Sequence, residues 1–307
     1  MTRISSFNAN QNLMFQIMNA QMKFNEAQMQ VSSGKKATNL GDHGRDAHVA
    51  VATMATRDRY QSYANTATKL KSELDAQALA LKEITQVAQD LRQAMMEAVA
   101  SGKGTAMMEQ AESAFQRATS VLNTNFGGKY LFGGGRTDTP PVSVQNLEEL
   151  SALTASDDAF VNDNLVQATR IDDGVTVSYG LRAKEDIASD LYSAFKTLKD
   201  YATANGDLTG DLTEAHMNEL RTQLQNLPDI ISGLTTVEAK NGAVQNRVEN
   251  AINRQEDRLI TLNELIGKMT DADMAEAATN LQLAQTTMQA SAQAFSMLQR
   301  TSLLDYL

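Results

Sequence analysis

The chain of 307 residues has no cysteine, no tryptophan and only three prolines, and its aromatic content is 5%. Each shortage excludes something. Without cysteine there can be no disulfide, no zinc-thiolate site and no thiol nucleophile. Few aromatics mean little of the bulk that fills a large globular core, whereas the abundant Ala, Leu, Met and Gln favour helix packed on helix. Positive charge is also short, with 27 Lys and Arg against 37 Asp and Glu for a net charge of -10. A chain so balanced offers no footprint for a phosphate backbone, so nucleic acid is not an expected partner. The first residues, MTRISSFNANQNLMFQ, lack a basic segment followed by a continuous apolar one, and no cleaved secretory signal is readable. A cytoplasmic protein and one exported by another route both fit.

Chemistry-bearing constellations are equally scarce. His43 and His48 flank a polar turn and His216 stands alone; no spacing sets two imidazoles and a carboxylate on one helical face, so all three read as surface histidines. The glycines of GGKYLFGGG lack the Lys-Ser/Thr ending of a phosphate loop and the strand-to-helix setting of a dinucleotide fingerprint, which leaves backbone turning as their role. Asp271 and Asp273 resemble part of a calcium loop without its glycine or distant glutamate, and fit the start of a helix better. No enzyme activity, cofactor or metal is expected.

What the chain does have is two long uncharged stretches. Residues 277–299 read AATNLQLAQTTMQASAQAFSMLQ, and residues 4–22 are likewise free of charge. The C-terminal stretch is no membrane span, because its side-chain amides, Asn280, Gln282, Gln285, Gln289, Gln293 and Gln299, would each cost roughly 4–8 kcal/mol in hydrocarbon without a partner. Its apolar residues instead form a heptad seam. Met274, Leu281, Met288 and Phe295 fall seven apart, and Ala277, Ala284, Ser291 and Leu298 fill the second position. The opposite face is Gln, Asn, Ser and Thr rather than Lys and Glu, which implies that it too is covered. At the N-terminus Met14, Ile17, Gln21, Phe24, Gln28 and Val31 alternate at spacings of three and four, widened by a second row of Phe15, Met18, Met22 and Met29. The two ends are expected to pair with each other, and to stay unordered until partners arrive, since isolated helices are marginal in water.

Between them, Tyr60, Tyr63, Ala67, Leu70, Leu74, Gln77, Leu81, Ile84, Ala88, Leu91, Met95 and Ala98 predict one helix of roughly forty residues or more. The SGKG turn at 101–104 and the resumed pattern Met108, Ala111, Phe115, Ala118, Leu122 predict an antiparallel hairpin. FGGKYLFGGGRTDTPP breaks the helical texture, and TRIDDGVTVSY predicts two short strands joined at Asp-Gly. Helical spacing returns at Ile187, Leu191, Phe195 and Leu198, then after Asp211, a candidate N-cap, with Pro228 expected to kink or interrupt the helix that precedes it. The final long helix carries Val244, Val248, Ile252, Leu259, Leu262 and Ile266.

These residues resemble the bacterial flagellin family. SSGKKATNLGDHGRDA at 32–47 is similar to the family's turn after its first helix, with His43-Gly44 where Asp-Pro is usual, and MTDADMAEAATNLQLAQTTMQASAQAFSML is similar to its C-terminal helix. NTNFGGKYLFGGGRTDTPP and the ending SLLDYL look like the members that join hook to filament. The resemblance covers about 1–140 and 235–307. It implies a mainly α, elongated flagellin-like rod of long coiled helices, with paired terminal helices and a small inserted β-containing domain. The expected parts are a terminal helix pair from 1–41 and 270–307, a coiled rod from 42–130 and 187–269, and an inserted outer domain at 131–186. The implied function is structural: a subunit at the hook-filament junction of the extracellular flagellum, exported unfolded without a cleaved signal. The implied partners are copies of itself, hook-associated protein 1, flagellin, and an export chaperone on the C-terminal helix. The assembly surface would draw on Phe7, Met14, Ile17, Phe24, Met274, Leu281, Met288, Phe295, Leu298, Leu303 and Leu304. A filament subunit and a coiled-coil signalling rod stay open as alternatives.

Overall fold

The computed structural model describes the backbone of every residue except Met1, Thr38, Leu40, Asp42, His43, Arg45, Asp207 and residues 305–307; for residues 2–10, Leu13, Asp46 and 298–304 it describes the backbone alone. The expectation for His43 therefore lies outside the described residues.

The chain is mainly helical. Helix α1 spans Thr2–Ser33, α2 Asp46–Ser101, α3 Met107–Leu122, α4 Leu147–Ala152, α5 Ser189–Asn205, α6 Glu214–Thr270 and α7 Met274–Leu304. Between α3 and α4 lies a minimal hairpin of β1, Asn125–Phe126, and β2, Lys129–Tyr130; between α4 and α5 lies a second, of β3, Ala168–Asp172, and β4, Val175–Ser178. Both hairpins are antiparallel. The contacts divide the chain into two compact units, residues 1–60 with 257–307, and residues 61–256.

Within the larger unit the seam of α2 is the organising surface. Leu74, Leu81, Ile84, Ala88, Leu91 and Met95 are all buried, as the three-and-four spacing requires. The helix is 56 residues long, beginning well before Tyr60. After the turn, α3 packs back along it through Ala111, Ala114, Phe115, Ala118 and Leu122, and α5 adds Leu191, Tyr192, Phe195 and Leu198 to the same core. Four of the aromatics meet here. The Phe115 ring lies 5.0 Å from Tyr192 and 5.4 Å from Phe195, and Phe160 lies 4.8 Å from Tyr192, spacings at which edge and tilted contacts are favourable. Tyr192 shares a 2.7 Å hydrogen bond with Thr119, which satisfies its buried hydroxyl.

Residues 131–186 do not close a core of their own. Leu131, Phe132, Val142, Leu147, Leu150 and Ala159 belong to the cluster built by α2, α3 and α5. The β3–β4 hairpin joins a second cluster, where Ile171 and Val177 pack on Ala67, Leu70 and Leu74 of α2 and Val248 and Ala251 of α6. The Tyr63 hydroxyl donates to Asp173 at 3.0 Å, and Gln255 donates to the Ile171 carbonyl at 3.3 Å. A segment this short buries too little apolar surface to stand alone, so it borrows the helices.

The glycines of this segment do two jobs. Gly127 and Gly128 both have positive φ, 60° and 84°, and close the β1–β2 hairpin as a two-residue turn. Gly134 and Gly135 instead admit a carboxylate. Asp163 accepts from the Gly135 amide at 2.6 Å and the Leu165 amide at 3.0 Å, and a Cβ on Gly134 would sit 2.5 Å from its Oδ1. These two backbone bonds hold the Asp163 carboxyl below the usual range. Turning alone does not account for the triple glycine.

Of the two outcomes expected at Pro228, interruption is not the one found, since the proline sits inside a continuous α6. A proline there costs about 3 kcal/mol, and Leu220, Leu227 and Leu234, buried at intervals of seven, hold the helix continuous. The N-cap is Thr213 rather than Asp211: its hydroxyl accepts from the His216 amide at 3.2 Å, while Asp211 forms a backbone bridge with Lys103.

The two clusters of the larger unit are separated by a polar layer. Asn241 and Gln245 both donate to the Leu74 carbonyl, at 3.1 and 3.2 Å. Gln77 is 0% exposed, and neither its amide nitrogen nor its amide oxygen has a hydrogen-bond partner among the described residues. An unsatisfied buried amide costs roughly 1–3 kcal/mol. Gln77→Leu is therefore expected to raise the urea midpoint of unfolding, by a stability gain of about 1–3 kcal/mol. A lowered midpoint would show that the amide is bonded in solution.

Candidate assembly interface

The smaller unit contains both uncharged stretches, and its construction begins at a clasp. Helix α1 ends where the Gly34 amide donates to the Gln30 carbonyl at 2.9 Å. The chain then runs antiparallel to the link between α6 and α7: the Lys36 amide donates to the Thr270 carbonyl at 2.8 Å, and the Ala272 amide to the Gly34 carbonyl at 2.9 Å. Side chains complete it. The Lys35 ammonium meets Asp271 at 2.5 Å, and the Lys36 ammonium donates to the Lys268 carbonyl at 2.6 Å, satisfying an orphan acceptor at the end of α6. Hydrogen bonds from Lys35 and then Thr270 hold the Asp271 carboxyl below the usual range. Two residues on, Asp273 caps α7 by accepting from the amides of Ala275 at 2.9 Å and Glu276 at 3.2 Å. The two aspartates thus divide the work: Asp273 starts the helix, and Asp271 ties it to α1.

From the clasp α1 and α7 run beside each other. On α7 the covered positions are Ala277, Leu281, Ala284, Met288, Ser291 and Phe295, alternating four and three apart. On α1 they are Ile17, Ala20, Phe24, Ala27 and Val31, where Ala20 and Ala27 take the positions that the sequence spacing gave to Gln21 and Gln28. The reason is steric. Alanine permits close approach of two backbones and loses no rotamer freedom in doing so, whereas a buried glutamine would need two hydrogen-bond partners. The two ends accordingly lie against each other within one chain, the pairing expected of them.

The pairing covers only one face. Met14, Phe15, Met18, Met22 and Met29 all remain exposed, Phe15 at 66%. Met274 is exposed at the first turn of α7, Leu283 at 65% and Met297 at 69%. The amide row Gln282, Gln285, Gln289 and Gln293 is also exposed. Of the residues assigned to the assembly surface, Ile17, Phe24, Leu281, Met288 and Phe295 are half-buried in the seam, while Met14 and Met274 face outward. The side chains of Phe7, Leu298, Leu303 and Leu304 lie outside the described residues. Sequence reasoning missed the clasp: Lys35 and Lys36 stood in a recognised turn motif, but nothing local indicates that their partners lie more than 230 residues away.

The arrangement packs and ties helices. Among the described residues no group of three His, Asp or Glu could hold a metal ion, and no helix is long and apolar enough to cross a membrane. His48 is exposed, and His216 lies edge-on to Tyr201 at 5.9 Å.

Comparison with known proteins gives two family matches. Residues 4–137 match the bacterial flagellin N-terminal helical region, and residues 214–307 match the bacterial flagellin C-terminal helical region, together about three quarters of the chain. Flagellar hook-associated protein 3 of Escherichia coli strain K12 is 22% identical over 303 residues, covering 94% of each chain. Among solved structures, a Vibrio parahaemolyticus chain described as a flagellar hook-associated protein superposes with a TM-score of 0.61 at 15% identity, over 75% of this chain and all of that one. FlgL of Bacillus cereus superposes with a TM-score of 0.54 at 16% identity, over 71% of this chain and 98% of the other. These likenesses support the same helical fold.

The clasp makes a pH prediction. Because the folded-state pKa of Asp271 is depressed, its contribution is present above the unfolded value of about 3.9 and is lost as pH falls through the folded value. The pair is half exposed, so the global effect is below about 1 kcal/mol, and hydrogen exchange at Lys36 and Ala272 is the sensitive readout. Asp271→Asn should exchange faster there than the parent at neutral pH, with the difference vanishing once the parent carboxyl is protonated. A difference independent of pH would contradict the ion pair.

Proposed function

The chain belongs to the bacterial flagellin family, and from that premise we propose that it is a structural subunit at the junction between hook and filament. The family is one of structural flagellar proteins, which places the chain in the flagellum, an extracellular appendage. The junction role in preference to the filament itself is supported by the end-to-end likeness to hook-associated protein 3, over 94% of both chains.

The observation that carries an assembly role is the half-covered helix pair. Alone, α1 and α7 bury a seam of alanines and partly buried large residues, and leave a row of Met and Phe in water. Covering one large apolar side chain contributes about 1.5–3 kcal/mol, so the five outward residues of α1 supply a sizeable drive toward association. Uncharged faces suit this use, because a fixed charge is costly to bury between subunits while Gln can donate and accept as the neighbour requires. Copies of the chain supply the lateral contacts; hook-associated protein 1 lies on one side and flagellin on the other. Before assembly an export chaperone shields the C-terminal helix, where Leu283 and Met297 are exposed.

Deleting residues 274–307 removes one half of the pair and leaves residues 61–256 intact. The truncated protein should stay helical and monomeric by circular dichroism and light scattering, and should fail to restore flagella to cells lacking the gene. Under precipitant the full chain should not build long filaments by itself, as a filament subunit does. Long filaments of the full chain in electron micrographs would reassign it as flagellin, and assembly of the truncated chain would remove the terminal pair from the mechanism.

A further inference from the structure

Asparagine precedes glycine twice in the chain, at Asn205-Gly206 and at Asn241-Gly242. Such a pair carries a reaction of its own. The glycine nitrogen can attack the side-chain amide carbon of the asparagine before it, because glycine has no Cβ to crowd the approach. A helix opposes this attack, since it fixes the backbone between the two groups and engages the attacking N–H in its own hydrogen-bond ladder. The two sites differ in how firmly they are held.

Asn205 is the last residue of α5 and is exposed, and Gly206 lies beyond the helix with φ 91° and ψ 146°. A Cβ built on Gly206 would meet nothing within 4 Å, so the surroundings leave the side chain room to swing toward the glycine nitrogen. The one restraint on it is an exposed hydrogen bond, from the Asn205 amide to the Tyr201 carbonyl at 3.1 Å. Helix ends of this kind open at little cost in free energy. Asn241 is 4% exposed, lies inside α6, and its amide donates to the Leu74 carbonyl at 3.1 Å. Bringing Gly242 onto it would require opening a helix where it packs against α2.

We infer that Asn205 is a site of spontaneous deamidation and that the fold protects Asn241 from the same reaction. A bond forms between the Gly206 nitrogen and Asn205 Cγ, the Cγ–Nδ2 bond breaks, and ammonia leaves with the proton of the Gly206 amide. Water then opens the resulting cyclic imide at either carbonyl, to give aspartate or isoaspartate; nothing is oxidised or reduced. Either product sets a negative charge at the C-terminal end of α5, where the helix dipole disfavours it, and neither carboxylate can donate to the Tyr201 carbonyl. The last turn of α5 loosens as a consequence. The change stays local. Leu208 is fully buried, and the Leu212 amide donates to the Gly102 carbonyl and the Gly104 amide to the Gly210 carbonyl, each at 2.8 Å, which ties the link between α5 and α6 to the α2–α3 turn. Because the reaction needs only water, its extent records the age of the chain.

The purified full chain, incubated at neutral and at mildly alkaline pH, tests this by peptide mass spectrometry and carboxyl methylation of isoaspartate. Conversion at Asn205 should run at least about a hundredfold faster than at Asn241, because one site opens by fraying and the other only with its core. It should quicken as pH rises, since the attacking nitrogen must lose its proton, and in urea the two sites should converge. Amide hydrogen exchange in the converted protein should rise over residues 202–206 and stay unchanged in α3. Asn205→Gln, whose longer side chain closes the ring poorly, should show neither conversion nor the rise in exchange. Equal rates at the two sites in the folded chain would overturn the inference. So would an Asn205 that stays intact while a short peptide of the same sequence converts, or a difference between the sites that persists in urea.

Discussion

The lateral pairing of α1 with α7 is the constraint on which the rest depends. It brings together residues from opposite ends of the chain, and it does so through alanines that let the helices approach and through a clasp that sets their start. A seam made of Ala20, Ala27, Ala277 and Ala284 buries little surface per residue. It can align two helices, but at roughly 25 cal/mol per Å² it cannot match the drive of a core built from leucines. Ile17, Phe24 and Val31 are half-buried in the seam, while Met14, Phe15, Met18, Met22 and Met29 of α1 stand exposed on the outer face.

The larger unit is made differently. Its core holds Leu, Ile, Met and the aromatic cluster around Phe115 and Tyr192, with hydrogen bonds satisfied at Thr119 and Asn241. That body buries its largest side chains within itself, whereas the terminal pair leaves a row of Met and Phe exposed. The buried amide of Gln77, without a partner among the described residues, lowers the stability of this core.

Much of this was legible from spacing. The seam of α7 from Ala277 to Phe295 and that of α2 from Leu70 to Met95 follow the heptad read along the sequence, because a helix converts period directly into a face. The Asp173-Gly174 turn was legible because its chemistry is local. What was not legible depended on distant partners. The choice of Ala20 over Gln21 turns on how close α7 comes, a distance no period encodes. The clasp from Lys35 to Asp271 spans most of the chain, and the carboxylate that explains Gly134 is Asp163, in another loop. Pro228 shows the limit of a local rule, since the buried leucines around it outweigh the proline's cost. The second hairpin has the strands its spacing predicts, and its apolar face packs on α2 and α6, which no local pattern indicates.

Oxidation of methionine tests the central claim most directly, because it reads solvent access at the residues in question. Brief peroxide treatment of the free subunit and of intact flagella, followed by peptide mass spectrometry, compares the two states. Met14, Met18, Met22 and Met29 are predicted to oxidise readily in the free subunit and to be protected in flagella, while buried Met95 and Met107 are protected in both. Equal oxidation of the α1 row in both states would contradict the account, since it would leave that row in water after assembly.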